Sequence, residues 1–351
     1  MASIEKKISD ILLVAKNAPS GDNSQPWRFS VASNQLTLFN DESKTNPIFD
    51  SKQYGAYVGH GCLIQNIREV ATENNYDIQV SYFPEGKSNP VAVLTFSERA
   101  DQSKKTLAEY VPLRRTNRNP YKNEPLPSSI KDDIATENVV FLEGEDKKQA
   151  AKHLSKAEKI VFETPELQDI IFSSLRWNPQ EESAKKEGLY VKTLELNPVQ
   201  VLLLKAAKNR KILELLNAVG FSSLVSKSNE EVYVSSAALG FIVGTATPES
   251  YVRAGESLEK IWLEGMSHGM DMQIINGLVF MAQDISVIKD KTRISTENLA
   301  LLENGIAELN SLLHLPKDKK ILSAFRIGYP KKEATTTSTK HSFDELIYKT
   351  P

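Results

Sequence analysis

Residues 57–79 and 251–273 echo each other without a gap at an offset of 194 positions. Tyr57, Val58, Gly61, Ile67, Asp77 and Gln79 meet Tyr251, Val252, Gly255, Ile261, Asp271 and Gln273, six identities in 23 positions. Both stretches carry apolar residues at helical spacing and lead into strand-like residues. Two amphipathic helices agreeing by coincidence is one explanation. The other is a duplicated unit, which requires two similar layers of helix and sheet in one chain.

Helix is expected over 3–17, where Ile4, Ile8, Ile11, Leu12 and Ala15 share a face, and over 55–74. Trp27, Phe29 and Val31, then Leu36 and Leu38, alternate about Ser33-Asn34 as a hairpin. Strands follow at 78–82 and 91–96, so the first half reads α-ββ-α-ββ, an α+β pattern. Beyond it, helices are expected at 147–162, 198–218, 249–268 and 295–313, and strands at 232–245 and 320–328. Residues 176–197 form an excursion with little pattern, and 331–342 a Lys/Thr/Ser-rich tail along the surface.

Composition narrows the function classes. With 40% hydrophobic and 25% charged residues the chain reads as globular. Its net charge of −2 supplies no basic field for nucleic acid. One cysteine, Cys62, leaves no internal disulfide and no multi-cysteine metal site. Without an apolar leader or a membrane-length apolar run, a cytoplasmic protein with no membrane partner is expected. There is no G-x-G-x-x-G after a strand, no P-loop and no G-x-S-x-G elbow. His60 and His268 fall on expected helices without a second ligand at metal spacing, so they read as structural or exposed.

Two segments carry binding chemistry. Ala18-Pro-Ser-Gly-Asp-Asn-Ser-Gln-Pro-Trp-Arg-Phe29 joins the first helix to the first strand through a turn rich in small hydrogen-bonding residues. Such a turn presents backbone N–H groups and short side chains to a flat, polar-edged ligand; Trp27 is expected in the core. Arg114-Arg-Thr-Asn-Arg118 supplies guanidinium groups at i and i+4, on one face if the segment is helical, able to fork onto one phosphate. The Thr116 hydroxyl and helix N-terminal N–H groups would add donors.

The first segment closely resembles the "APSxxNxQPW" turn of the nitroreductase superfamily, and the second is similar to that family's Arg-rich opening signature. Ser323-Ala-Phe-Arg-Ile-Gly-Tyr-Pro330 is similar to its closing "RIGYP" strand. The resemblance implies FMN, with Pro19, Ser20, Gly21, Asn23 and Gln25 at its ring and Arg114, Thr116 and Arg118 at its phosphate. It also implies Gly277 near the flavin N5 edge, and Lys340 returning to the phosphate from the tail. The family order is reversed here, because the ring-contact turn precedes the Arg signature. That order resembles the internally duplicated branch, in which one chain is a pseudo-dimer with one FMN site. The implied halves are 1–110, with the ring-contact turn, and 111–351, with the phosphate site, a lid at 176–197 and the tail.

The activity implied is oxidoreductase chemistry in ping-pong order, from NAD(P)H to FMN to a small electron-poor acceptor such as a nitroarene or quinone. No side chain is then required as nucleophile or general base. The alternative implied by a lid is a protein that binds or sequesters FMN without turnover. A monomer is expected, with further dimerisation of the fused unit left open.

Overall fold

The computed structural model describes residues 3–86, 89–100 and 105–348. Its first half contains α1 (Ile4–Ala15), β1 (Trp27–Ala32), β2 (Gln35–Asn40), α2 (Tyr54–Glu73), β3 (Tyr76–Tyr82) and β4 (Ala92–Glu98). Ser3 caps α1 by accepting from the Lys6 amide, and Ile8, Ile11, Leu12 and Ala15 are buried on one face. The start of α2 is capped from a distance: the Asp50 carboxylate accepts from the Gly55 and Ala56 amides at 2.9 and 3.0 Å.

The second half begins with α3 (Ser128–Ile134) and β5 (Val139–Leu142). A helical insertion follows, of α4 (Gly144–Leu154), α5 (Lys156–Glu163), α6 (Pro165–Ser174), β6 (Leu175–Arg176), α7 (Pro179–Lys185), β7 (Leu189–Tyr190), α8 (Pro198–Ala207), α9 (Arg210–Ala218) and α10 (Phe221–Val234). The chain then returns through β8 (Ala238–Gly244), α11 (Pro248–Ser267) and β9 (Asp271–Ile274). It ends with α12 (Gly277–Gln283), α13 (Ile285–Lys291), α14 (Thr296–Leu312), β10 (Lys320–Gly328) and α15 (Phe343–Leu346).

The two four-stranded sheets have the same plan. One runs β1-β2-β4-β3 and the other β5-β8-β10-β9, antiparallel throughout. In each, the second strand enters a 20-residue helix that leads to an edge strand, and α2 and α11 lie at the 194-residue offset end to end. These helices pack on each other in the centre, in a core that draws Tyr57, Val58, Ile67, Tyr251, Val252 and Ile261 together. The α+β arrangement is therefore that expected from the sequence.

Several expected elements change. The helix at 147–162 is two, meeting at Ser155, and that at 198–218 is broken where Asn209 caps α9. Val232 to Val234 end a helix, because their apolar faces pack against the second core, and strand begins only at Ala238. Residues 114–118 are not helical, so Arg114 and Arg118 do not share a helix face. The 176–197 excursion has order of its own, with α7 between the paired short strands β6 and β7. The tail 331–342 does not simply follow the surface: Ala334 is buried, and residues 335–342 form a strap between the 176–197 segment and the turn.

Candidate functional site

The turn after α1 is held in an unusual backbone. Asp22, Asn23 and Gln25 all have positive φ, at 49°, 55° and 49°, a conformation that costs energy in non-glycine residues. The Ser20 hydroxyl stabilises the loop by accepting from the Gln25 amide at 3.0 Å. Trp27 is fully buried, edge-on to His60 with ring centroids 6.3 Å apart, and so anchors the turn to α2. Burial lowers the pKa of His60 to about 3, making it a neutral core residue. Among the described residues no group of three or more His, Cys, Asp or Glu is placed to hold a metal.

The Arg segment reaches the turn from the other half of the chain. Arg114 donates from Nη2 to the Asn17 carbonyl at 2.6 Å and lies 4.6 Å from the Trp262 ring centroid. Its Nε is 3.1 Å from Oε1 of the fully buried Glu259 of α11. Burial raises the Glu259 pKa to about 7, with Arg114 pulling it back. Arg118 donates to the Thr193 carbonyl at 2.8 Å, beyond β7. Separate anchors, not a helix repeat, turn the two guanidinium groups toward one place.

Between them lies a cleft of about 130 Å³. Pro19, Ser20 and Asn23 line it from the turn, Arg114, Arg115, Thr116 and Arg118 from the Arg segment, and Thr336, Thr337, Ser338 and Lys340 from the strap. Four cationic side chains and several hydroxyls face it, and no carboxylate is among the lining residues. Lys340 donates to the Ala18 carbonyl at 2.9 Å. Burial, reinforced by the Arg114 charge, lowers its pKa to about 7. Such a cleft is built for an anion, and its size and fork-like donors suit a phosphate group.

Seven of the ten residues expected at the site thus meet in one cleft: Pro19, Ser20, Asn23, Arg114, Thr116, Arg118 and Lys340. Gly21 is exposed beside it. Gln25 is buried next to it, donating to the Lys186 carbonyl at 2.7 Å and accepting from the His341 amide at 2.8 Å. Gly277 is elsewhere. It begins α12, and a Cβ there would meet Ala157 Cβ at 3.0 Å, so it serves close packing of α12 on α5.

Residues with no motif complete the enclosure. The Lys186 carbonyl, just after α7, also accepts from Asn23 Nδ2 at 3.1 Å, and the Thr339 carbonyl of the strap accepts from the same nitrogen at 2.9 Å. Glu182 of α7 accepts from the Thr339 amide at 2.6 Å. Glu187 pairs with Lys44 at 2.6 Å and His341 at 2.7 Å, fastening the 175–194 segment to the strap. The side-chain amides of Asn23 and Gln25 therefore donate to protein carbonyls. Glu259 and Glu187 had no sequence signal, since each acts across more than 70 residues.

No family model matches the chain. It is 26% identical over 278 residues to "Uncharacterized protein MT1398" of Mycobacterium tuberculosis (strain CDC 1551 / Oshkosh), covering 77% of this chain but spanning only 38% of that protein. It is 23% identical over 332 residues to "Uncharacterized protein Rv3127" of Mycobacterium tuberculosis (strain ATCC 25618 / H37Rv), covering 90% of this chain and 92% of that one. Among solved structures it is similar to the FMN-dependent nitroreductase NfnB from Mycobacterium smegmatis in complex with NADPH, at TM-score 0.40 and 14% identity over 70% of this chain and 98% of that one. A nitroreductase with bound FMN from Bacteroides fragilis gives TM-score 0.35 and 12% identity over 68% and 96%. The chain is thus similar in sequence to two mycobacterial proteins and in structure to members of the nitroreductase family.

Proposed function

We propose that the chain is an FMN-binding protein of nitroreductase type, formed from two fused copies of one α+β unit. The observation that carries this reading is the convergence of the 18–25 turn, the Arg114–Arg118 segment and Lys340 on one carboxylate-free cleft. Arg114, Arg118, Thr116 and Lys340 hold the flavin phosphate, and the turn lies along the ring. Bound FMN supplies reversible redox chemistry at its ring. The protein binds and orients it, and the 175–194 segment with the strap excludes water. The identical sheet plans support the fused-copy reading, with halves at 1–110 and 111–351.

The closed lid and strap favour holding flavin over turning it over. A second reading, an NAD(P)H oxidoreductase passing electrons to a nitroarene or quinone, rests on the turn and needs the lid to open. Anaerobic NADPH added to the FMN-loaded protein separates them. Dithionite bleaches the flavin in either case; NADPH leaves it yellow if the protein holds flavin, and bleaches it within seconds if it is a reductase. Failure of the protein to retain FMN at all contradicts both.

A further inference from the structure

The insertion continues into two helices whose outward sides also carry aliphatic residues. On α8, Val201, Leu204 and Ala207 turn inward onto a small core around Phe162, Tyr190 and Leu213. Its other side shows Val199 and Leu202, the latter 68% exposed. On α9, Leu213 and Leu216 face the same core, while Ile212 and Leu215, and Val219 just past its end, are exposed, Leu215 at 71% and Val219 at 82%. Positions 199 and 202, and 212, 215 and 219, follow the i, i+3, i+7 spacing of a helix stripe. A grouped set of exposed aliphatics marks a contact surface.

Charge and residue type indicate what it contacts. Between Leu196 and Asn229 lie Lys205, Lys208, Arg210, Lys211 and Lys227, against Glu214 alone. Arg210 is paired with Asp169, and the four lysines are exposed. A second copy docked face to face would bring two patches of net positive charge together. Protein-recognition patches are rich in Tyr, Trp and Arg and poor in Lys, whereas the exposed residues here are Leu, Val, Ile and Lys. Aliphatic residues bordered by lysine match the acyl boundary and headgroups of an anionic bilayer. Among the described residues no helix is long and apolar enough to cross a membrane, so such contact is with the surface.

We propose that α8 and α9 dock the protein onto anionic phospholipid bilayers, burying Leu202, Leu215 and Val219 at the interface with Lys205, Lys208 and Lys211 at the headgroups. This revises the expectation of no membrane partner, which rested on the lack of a spanning segment. It does not depend on the flavin reading.

The test is co-sedimentation of the full chain with phosphatidylglycerol-containing vesicles and with pure phosphatidylcholine vesicles. Binding is expected to the first, much less to the second, and to weaken at high salt. The exposed double substitution Leu202→Asp with Leu215→Asp is expected to lower binding about tenfold or more with an unchanged melting temperature. Should that pair unfold the protein, Lys205→Glu with Lys211→Glu tests the same surface. Absence of wild-type binding to the anionic vesicles overturns the proposal. So does binding that survives both double substitutions. A concentration-dependent dimer in sedimentation equilibrium, lost in the variant and without vesicle binding, overturns it in favour of a second copy.

Discussion

Gly61 of α2 and Gly255 of α11 face each other where the two central helices cross. A Cβ built on Gly61 would lie 2.7 Å from Gly255 Cα, and one on Gly255 would lie 2.9 Å from Gly61 Cα. The relation is reciprocal in detail: the same atoms would sit 1.8 Å from the Val252 carbonyl and 2.0 Å from the Val58 carbonyl. Residues 61 and 255, like 58 and 252, are separated by the 194-residue offset of the repeat. The contacts at the crossing are thus reciprocal under that offset.

Either Gly61→Ala or Gly255→Ala is therefore expected to destabilise the fold by about 1–3 kcal/mol or more, since backbone must move to admit a methyl group. Urea unfolding measures it, and the two substitutions should cost similar amounts. A neutral effect at either position contradicts the close crossing.

Glu259 is the carboxylate behind Arg114. Glu259→Gln leaves a buried guanidinium without its charge partner and is expected to lower the stability of the flavin-free protein by about 3 kcal/mol. An anion in the cleft then becomes the counter-charge of Arg114. Inorganic phosphate should accordingly raise the melting temperature of Glu259→Gln by more than that of the wild type, a difference that thermal-shift titration reads directly.

Lys340 gives the site a pH dependence. Its folded pKa is lowered from 10.5 to about 7, so between these values the unfolded chain holds the extra proton. The contribution of Lys340 to stability without ligand therefore rises with pH across this window, and is lost as pH falls through about 7. Phosphate binding has the opposite demand, because it needs the ammonium. FMN affinity should fall above pH 7, by up to about tenfold per pH unit, with proton uptake on binding. Lys340→Arg, charged throughout, should flatten that profile. Calorimetry in two buffers of different ionisation enthalpy checks the proton uptake.

Glu187 bridges Lys44 and His341 and so ties the 175–194 segment, the proposed lid, to both the 42–44 turn and the strap. Glu187→Gln is expected to speed FMN release by about three- to tenfold while changing association less. Stopped-flow displacement with excess riboflavin phosphate analogue measures it. An unchanged release rate would mean that the lid does not limit exit.

Much of the fold was legible in the sequence, because α1, the first hairpin, α2, α11, α14 and β10 each have clear periodicity, and α1, α11 and α14 have short-range side-chain caps. The 18–29 turn was legible for a similar reason, being a continuous local pattern. Errors arose where tertiary context decides. Val232–Val234 looks like strand until its packing against the second core is known, and Arg114–Arg118 looks like a helix start until its anchors at Asn17, Glu259 and Thr193 are seen. Gly277 matched a position by resemblance alone, and its close approach to Ala157 on α5 had no local signature. Lid contacts through the Lys186 carbonyl carry no side-chain signature, so no residue type announced them.

In the proposed function, turn, Arg segment and strap make one flavin-phosphate site within one chain. Equilibrium titration of the purified protein with FMN and with riboflavin, which lacks the phosphate, tests it most directly. The wild type should bind one FMN per chain and riboflavin far more weakly. Arg114→Ala with Arg118→Ala should lower FMN affinity by about two orders of magnitude or more, while leaving riboflavin binding nearly unchanged. No FMN binding by the wild type, or equal affinity for FMN and riboflavin, would rule out such a phosphate site.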